Sequence, residues 1–250
     1  YTGQLYSVIQ VLPVQDSPGF YGYGSLLALV FIAGGLLSSF FHLGRPERAW
    51  RSAAKWRTSW LSREVIVLPA FMATTFIYSM IHINGWNPVL FALSDAFIVD
   101  LSLFVGAINM MLAFTLFVCT AMIYACIKFL QEWATPLTVV NYILLGMASG
   151  FALCTAFAAY VQSDLVNFYG GWAITLTVMA FITRSASLIR NNRIKHKSTL
   201  SSAIGIRHTQ IQQKAQGSMG GSFNTREYFH GAKPAFLKSI KWIFLILVFI

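Results

Sequence analysis

Residues 42–64 read HLGRPERAWRSAAKWRTSWLSRE and separate two apolar runs, 20–41 and 65–83, that contain no charged residue. The stretch itself holds six Lys or Arg, three Trp, two Glu and His42. Each flanking run has the roughly 20 apolar residues that an α-helix needs to cross the hydrocarbon of a bilayer. The pattern therefore predicts two membrane-spanning helices joined by a charged, aromatic connection at one face of the membrane.

The composition of the whole chain indicates the same class. Its mean hydropathy is +0.62, 56% of its residues are hydrophobic and only 10% are charged. That balance leaves too few polar residues to coat the surface of a soluble protein. We expect an all-α polytopic membrane protein built as a helix bundle. Five complete spans are predicted, at residues 20–41, 65–83, 101–127, 134–163 and 165–183.

Both ends of the sequence indicate a longer protein. Residues 2–12 resemble the tail of an earlier span, and the apolar run 242–250 is too short to cross a bilayer. We expect one more span before the first residue and another that is completed after the last. Residues 1–250 then form a single integral membrane domain, with a basic interfacial loop at 44–63 and a basic docking loop at 184–241.

Positive charge alternates between the connections. The 44–63 connection holds six Lys or Arg and the 184–241 connection holds eleven, whereas 84–100 holds none. The positive-inside rule places the two basic loops on one face, which we expect to be the cytoplasmic face of a bacterial inner membrane. The basic run 190–197 directly follows a span, so we expect it to contact anionic lipid and not nucleic acid.

His42 and Glu64 end one span and begin the next, so we expect them to approach each other at one membrane depth. Ionisable residues at such positions are costly unless they are paired or functional, and histidine titrates near neutral pH. A quinone site needs such groups, because quinone chemistry moves two protons together with two electrons. The simpler interpretation of this stretch is an interfacial anchor, in which Glu64 caps the second helix.

The sequence does not indicate a metal or haem site in this chain. Its three Cys lie inside apolar runs and form no Cys-x-x-Cys pair, so neither a zinc nor an iron–sulfur site is supported. His42 and His82 end antiparallel spans at opposite faces, which places them poorly to hold a haem. Asp100 is typical of a charge at a helix N-terminus, with a proton path as the alternative.

Two segments, HLGRPERAW at 42–50 and SWLSRE at 59–64, resemble the signature of the DmsC family. These proteins are membrane anchor subunits of dimethyl-sulfoxide-reductase-type molybdoenzymes and distant relatives of the NrfD/polysulfide reductase anchors. The segments QEW at 131–133 and GGSFNTRE at 220–227 are similar to the family as well. The resemblance implies a haem-free protein with about eight transmembrane helices in its full length.

The resemblance also implies partners and substrates. Such an anchor exchanges electrons between a quinone, either menaquinone or ubiquinone, and a ferredoxin-like iron–sulfur subunit. That protein in turn serves a molybdopterin catalytic subunit, which acts on a sulfur compound such as dimethyl sulfoxide or sulfite. The iron–sulfur clusters and molybdopterin belong to the partner subunits, and the chain itself is the quinone-reactive subunit of the oxidoreductase.

In the family the quinone site is associated with the His of the His-Leu-Gly motif and the Glu after the next loop, here His42 and Glu64. Gly44 and Arg48 fall within the same motif, and Tyr124 is a further candidate because it lies near the same face. The basic loops are expected to dock the partner subunits. The candidate docking residues are Arg45, Arg51, Lys55, Arg57 and Arg226.

Two other interpretations stay open. A purely structural tether would hold the partner subunits without a quinone site, and changes at His42 and Glu64 would then be silent. A secondary transporter would need a charged site near the membrane midplane, whereas Glu64 and Asp100 sit at the ends of predicted helices.

The direction of electron flow is open too, because sulfite oxidation would reduce quinone and sulfoxide reduction would oxidise quinol. The Arg-rich 42–64 stretch looks closer to anchors of sulfite-oxidising complexes.

Overall fold

The computed structural model describes residues 1–41, 43–94, 97–128, 130–194, 205 and 234–247. A π-helical turn, Ser17–Gly22, leads into the first long helix, and a 3-10 helix, Pro46–Lys55, connects the first two long helices. The α-helices in the described residues are α1 (Thr2–Val8), α2 (Tyr23–Phe40), α3 (Trp60–Asn84), α4 (Leu101–Ala125), α5 (Pro136–Tyr160), α6 (Val166–Asn192) and α7 (Pro234–Leu247).

Five helical segments are long and apolar enough to cross a membrane. They are Ser17–Phe40, which combines the π-helical turn with α2, and the helices α3, α4, α5 and α6. Large apolar side chains on these segments are exposed, as for Val30 at 67% and Ile174 at 69%, which is typical of helices that face lipid. The predicted all-α polytopic class and the five predicted spans are confirmed.

Two of these helices extend beyond the apolar runs that predicted them. Helix α3 begins at Trp60 and not at residue 65, so Arg63 and Glu64 lie inside the helix. Helix α6 continues to Asn192, past the predicted end at 183, and therefore includes Arg184. Hydropathy marks the part of a helix within hydrocarbon, whereas backbone hydrogen bonding continues until a cap or a turn ends the helix.

Polar caps fix where α3 and α4 begin. The side chain of Ser59 accepts a hydrogen bond from the Ser62 amide at 3.4 Å. The Asp100 carboxylate accepts one from the Leu103 amide at 2.7 Å and another from the Ser102 hydroxyl at 2.9 Å. The helix-N-terminal role predicted for Asp100 is thereby confirmed, since a carboxylate there satisfies free backbone amides.

The connection between α3 and α4 contains a β-hairpin that the sequence did not predict. Strands β1 (Val89–Ser94) and β2 (Phe97–Asp100) pair antiparallel, with Val89 opposite Asp100. Gly85 ends α3 with a φ of 66°, a left-handed conformation that glycine adopts without a steric penalty. The chain therefore turns sharply after α3 and reaches the capped start of α4 through the hairpin.

The chain divides into two compact units, Tyr1–Ala180 and Phe181–Ile250. In the first unit, α3 packs on α4 and α4 on α5, and a small cluster of Leu144, Ala148, Leu176 and Ala180 joins α5 to α6. The main buried cluster consists of Phe20, Tyr21, Tyr78, Ala158, Leu165 and Tyr169. In the second unit, the Arg184 guanidinium lies 5.1 Å from the centroid of the Phe244 ring. The single membrane domain over 1–250 stays a prediction.

Candidate functional site

Glu64 is held by a hydroxyl on the neighbouring helix. It lies in the second turn of α3, where its side chain is half-buried. Thr120 on α4 donates its hydroxyl to Glu64, with Oγ1 and Oε1 2.5 Å apart. The cap of α3 is Ser59, so Glu64 is not the cap that the anchor interpretation expected. A carboxylate pointing at a second membrane helix is instead placed to hold or release a proton.

Three aromatic rings pack together one helical turn beyond Thr120. Tyr124 follows Thr120 by one helical turn on α4, so the two side chains share a face. Its ring stacks on that of Tyr142 on α5, with centroids 5.7 Å apart and an interplanar angle of 20°. Trp133 packs edge-on against Tyr124 at 5.4 Å. The Tyr142 hydroxyl lies near both the Tyr124 hydroxyl and the Glu64 carboxylate.

We call this group the Glu64 cluster. It combines a carboxylate, a threonine hydroxyl and two phenol hydroxyls with three aromatic rings, at one end of the bundle. Such a set offers a proton acceptor, hydrogen-bond donors and flat apolar faces to a planar polar headgroup. The members of the Glu64 cluster are Glu64, Thr120, Tyr124, Trp133 and Tyr142.

The basic connection before α3 contains a short helix, with Pro46 at its start and Lys55 at its end. It is a 3-10 helix with three residues per turn, so Trp50, Ala53 and Trp56 line one face. Both indole rings are exposed, at 70% for Trp50 and 53% for Trp56. Exposed indoles are typical of the membrane–water interface or of a surface that a partner covers.

The cations of this connection face outward. The guanidinium of Arg51 lies 5.6 Å from the Trp50 ring centroid, and that of Arg57 lies 5.4 Å from the Trp56 centroid. In the described part of the loop, Arg48 forms an ion pair with the adjacent Glu47 at 3.9 Å. An exposed pair of this kind contributes little to stability. The exposed cations among the predicted docking residues are Arg45, Arg51, Lys55 and Arg57.

Arg63 joins the 3-10 helix to the start of α3. Its Nε donates to the carbonyl of Trp56 at 3.0 Å and its Nη2 to the carbonyl of Arg57 at 2.9 Å. The same guanidinium stacks over the Trp60 ring at 4.2 Å from the centroid. Since Arg63 is the residue before Glu64, these contacts fix the basic surface next to the Glu64 cluster.

The structure brings together part of the predicted quinone site. Glu64 and Tyr124 belong to one cluster, which Thr120 connects. Gly44 is exposed, and among the described residues Arg48 forms no hydrogen bond or ion pair with Glu64. His42 and Arg226 lie outside the described residues, so their roles stay predictions.

Sequence reasoning missed Thr120 and Tyr142. The available signal for Thr120 is its spacing of four residues from Tyr124, which places two polar groups on one face of an otherwise apolar helix. Tyr142 carries no comparable signal, because its stacking on Tyr124 depends on how α5 packs against α4. Neither residue lies near Glu64 in the sequence, so only the fold reveals the cluster.

A second polar group lies at the other end of α3. His82 is 4% exposed, and its Nδ1 lies 2.5 Å from the Ser17 hydroxyl. The ring of Tyr78 packs edge-on against the imidazole with centroids 4.6 Å apart. This histidine is therefore built into the packing of α3 against the π-helical turn.

A cavity of about 210 Å³ lies between α2, α3, α4 and α5. Its walls are mainly apolar and include Phe71, Tyr78 and Phe157, with Asn109 among the few polar groups. Neither Glu64 nor Tyr124 lines it. Across the described residues there is no group of three or more His, Cys, Asp or Glu that would hold a metal ion.

The chain is similar to known membrane anchor proteins. The model of the DMSO reductase anchor subunit (DmsC) family matches residues 22–248. The chain is 56% identical over 248 residues to the C subunit of sulfite dehydrogenase from Allochromatium vinosum, an alignment that covers 99% of this chain and 76% of that protein. No solved structure matches the chain. The chain therefore belongs to the DMSO reductase anchor subunit (DmsC) family and is a multi-pass membrane anchor subunit of an oxidoreductase complex.

Proposed function

We propose that this chain is the quinone-reactive membrane anchor of a sulfite-oxidising molybdoenzyme complex. The observation that supports it is the Glu64 cluster, in which a half-buried carboxylate and its hydroxyl partner lie about one helical turn from three packed aromatic rings. The identity to a sulfite dehydrogenase subunit favours sulfite over dimethyl sulfoxide as the substrate of the complex.

The electron balance follows from that substrate class. A molybdopterin subunit oxidises sulfite and water to sulfate, releasing two protons and two electrons. A ferredoxin-like subunit transfers the electrons through its iron–sulfur clusters to the membrane. The anchor delivers them to menaquinone or ubiquinone, which takes up two electrons and two protons to become a quinol.

The anchor supplies protons to the quinone and holds its headgroup in place. Glu64 supplies a proton to a quinone oxygen and is reloaded from water at the membrane face. The rings of Tyr124, Tyr142 and Trp133 flank the flat headgroup and exclude water from it. His42 hydrogen-bonds the other quinone oxygen, and Gly44 and Arg48 belong to the same end of the site.

The basic surface serves the electron donor. Exposed cations with few acidic neighbours steer and orient a partner of opposite charge, and an electron donor must dock close to the quinone. We place this face toward the cytoplasm, in the cytoplasmic membrane of a bacterium. The contacts assigned to the ferredoxin-like subunit are Arg45, Arg51, Lys55, Arg57 and Arg226.

The proposal is tested by purifying the chain in mild detergent and identifying its companions by mass spectrometry with metal analysis. A molybdopterin subunit and an iron–sulfur subunit are expected, with molybdenum and iron in the sample. A photoreactive quinone analogue should then label the chain within the α3–α4–α5 end that contains Glu64. Isolation of the chain alone, free of both metals, would refute the proposal and favour a transporter.

The structural tether makes a different prediction about the same preparation. In a tether, quinone analogues neither label the chain nor inhibit electron transfer, and the partner proteins still co-purify. The Glu64 cluster favours a reactive site over a tether, because a half-buried carboxylate in a membrane helix is costly without a function.

A further inference from the structure

The hydroxyl of Thr120 has two acceptors and one proton. Its Oγ1 lies 2.5 Å from Oε1 of Glu64 and 3.0 Å from the backbone carbonyl oxygen of Leu116. A hydroxyl donates one hydrogen bond at a time and accepts through its lone pairs. Thr120 can therefore donate to only one of these two groups in any one state.

Thr74 and Thr75 on α3 have a similar choice, between carbonyls of their own helix and Asn109 Oδ1 on α4, whereas Thr115 and Thr155 do not. The hydroxyl of Thr115 on the same helix bonds the Met111 carbonyl at 2.8 Å, and that of Thr155 on α5 bonds the Phe151 carbonyl at 2.8 Å. Bonding back to the preceding turn is the usual use of a threonine hydroxyl inside a helix. Thr120 keeps that bond as an alternative while reaching a carboxylate on another helix.

We propose that Thr120 is a positioning residue that pairs with Glu64 in both of its protonation states. With Glu64 ionised, Thr120 donates its proton to the carboxylate. With Glu64 protonated, the carboxyl O–H donates to Thr120 Oγ1, and Thr120 donates to the Leu116 carbonyl. Between the two states only the Thr120 O–H bond rotates, so Thr120 and Glu64 exchange no proton. Glu64 then has a hydrogen-bond partner in both states.

Charged and titratable groups surround Glu64 on several elements. Helix α4 brings Cys119 and Tyr124, α5 brings Tyr142, and Arg63 precedes Glu64 on α3 itself. Helix α2 carries no charged residue, and the 3-10 helix carries Glu47, Arg48, Arg51 and Lys55. Among the described residues, the direct hydrogen bond to the carboxylate comes from Thr120.

This inference rests on the proposed function, in which the Glu64 proton goes to a quinone oxygen. Its test, however, does not require quinone turnover. The probe is the carbonyl stretching band of protonated Glu64, measured by infrared difference spectroscopy on the purified complex during a pH change. A Glu64→Gln variant identifies the band. We expect Thr120→Val to move the band to higher wavenumber, because the carboxyl loses its hydrogen-bond partner, and Thr120→Ser to restore its position.

Thr115→Val is the matched control, because it removes a hydroxyl that bonds only its own helix, and it should leave the band in place. Thr120→Ala is a second variant in case the valine perturbs assembly. A band at the same position in Thr120→Val and wild type would overturn the pairing, as would a wild type with no Glu64 band. A shifted band combined with normal quinone reduction in Glu64→Gln would keep the pairing and refute the proposed function.

Discussion

Glu64 and His82 lie on one helix, α3, about five turns and therefore about 27 Å apart. The first is half-buried, bonded to a hydroxyl of α4 and next to a basic surface. The second is buried and bonded to a hydroxyl of the π-helical turn. The same helix thus carries a polar group at each end. The proposed function uses the Glu64 end, and the contacts of His82 indicate a packing role.

The packing role of His82 predicts a stability effect without a catalytic one. Ser17→Ala removes the hydroxyl bonded to a buried imidazole nitrogen, which should destabilise the protein by about 1 kcal/mol. The measurement is the thermal unfolding midpoint in detergent. Ser38→Ala is the control, because that exposed hydroxyl bonds only to the Gly34 carbonyl of its own helix. Equal midpoints for both variants would contradict the assignment.

Packing of α4 against α5 should depend on Gly146. A Cβ atom at this position would meet the ring of Phe117, whereas one at Gly150, a turn later, would meet nothing within 4 Å. We expect Gly146→Val to cost about 1–3 kcal/mol through overpacking. Gly150→Val carries the same change in helix propensity and provides the control. The two variants are compared by their thermal unfolding midpoints in detergent. An equal decrease of the midpoint in both would show that the contact with Phe117 does not matter.

Partner docking should depend on the charge of the 3-10 helix. Reversal at Arg51, Lys55 and Arg57 to Glu should reduce co-purification of the iron–sulfur subunit more than about tenfold, because like charges across an interface cost several kcal/mol. Arg51→Lys with Arg57→Lys keeps the charge and should retain the partner. Quantitative mass spectrometry of the purified complex gives the ratio. Unchanged recovery after reversal would place the docking surface elsewhere.

Arg63 should control the local stability of the 3-10 helix. Arg63→Met removes two donors from the carbonyls of Trp56 and Arg57, each bond contributing about 1 kcal/mol. Trypsin cleavage after Arg57 should accelerate about tenfold, since proteolysis follows the population of the open segment. Arg51→Met is the control, because among the described residues its guanidinium lies over the Trp50 ring and donates no hydrogen bond to the backbone. The prediction fails if both variants release the peptide at the wild-type rate.

Much of the fold follows from local sequence. The five spans follow from apolar runs of sufficient length, and the cap of α4 from Asp100. The β-hairpin was missed because Val89–Ser94 is a short apolar run, which periodicity alone does not distinguish from a helix. The start of α3 at Trp60 and the end of α6 at Asn192 were not predicted, because amphipathic turns continue a helix beyond its apolar run into the headgroup region.

The candidate site was predictable only in part. Glu64 stands out because a carboxylate at the mouth of a span is rare, and Tyr124 because it lies near the same face. The bond from Thr120 and the stacking of Tyr142 depend on which faces of α3, α4 and α5 meet. Such contacts between residues far apart in sequence leave no pattern within any one helix.

Sulfite-driven quinone reduction by the assembled complex that carries Glu64→Gln tests directly whether Glu64 supplies protons to the quinone. We predict a loss of about 100-fold or more, the effect of removing a group that transfers protons, while sulfite oxidation with a soluble acceptor is unchanged. Asp164→Asn, an exposed carboxylate between α5 and α6, should behave like the wild type. Wild-type quinone reduction by the Glu64→Gln complex would show that Glu64 does not supply protons to the quinone.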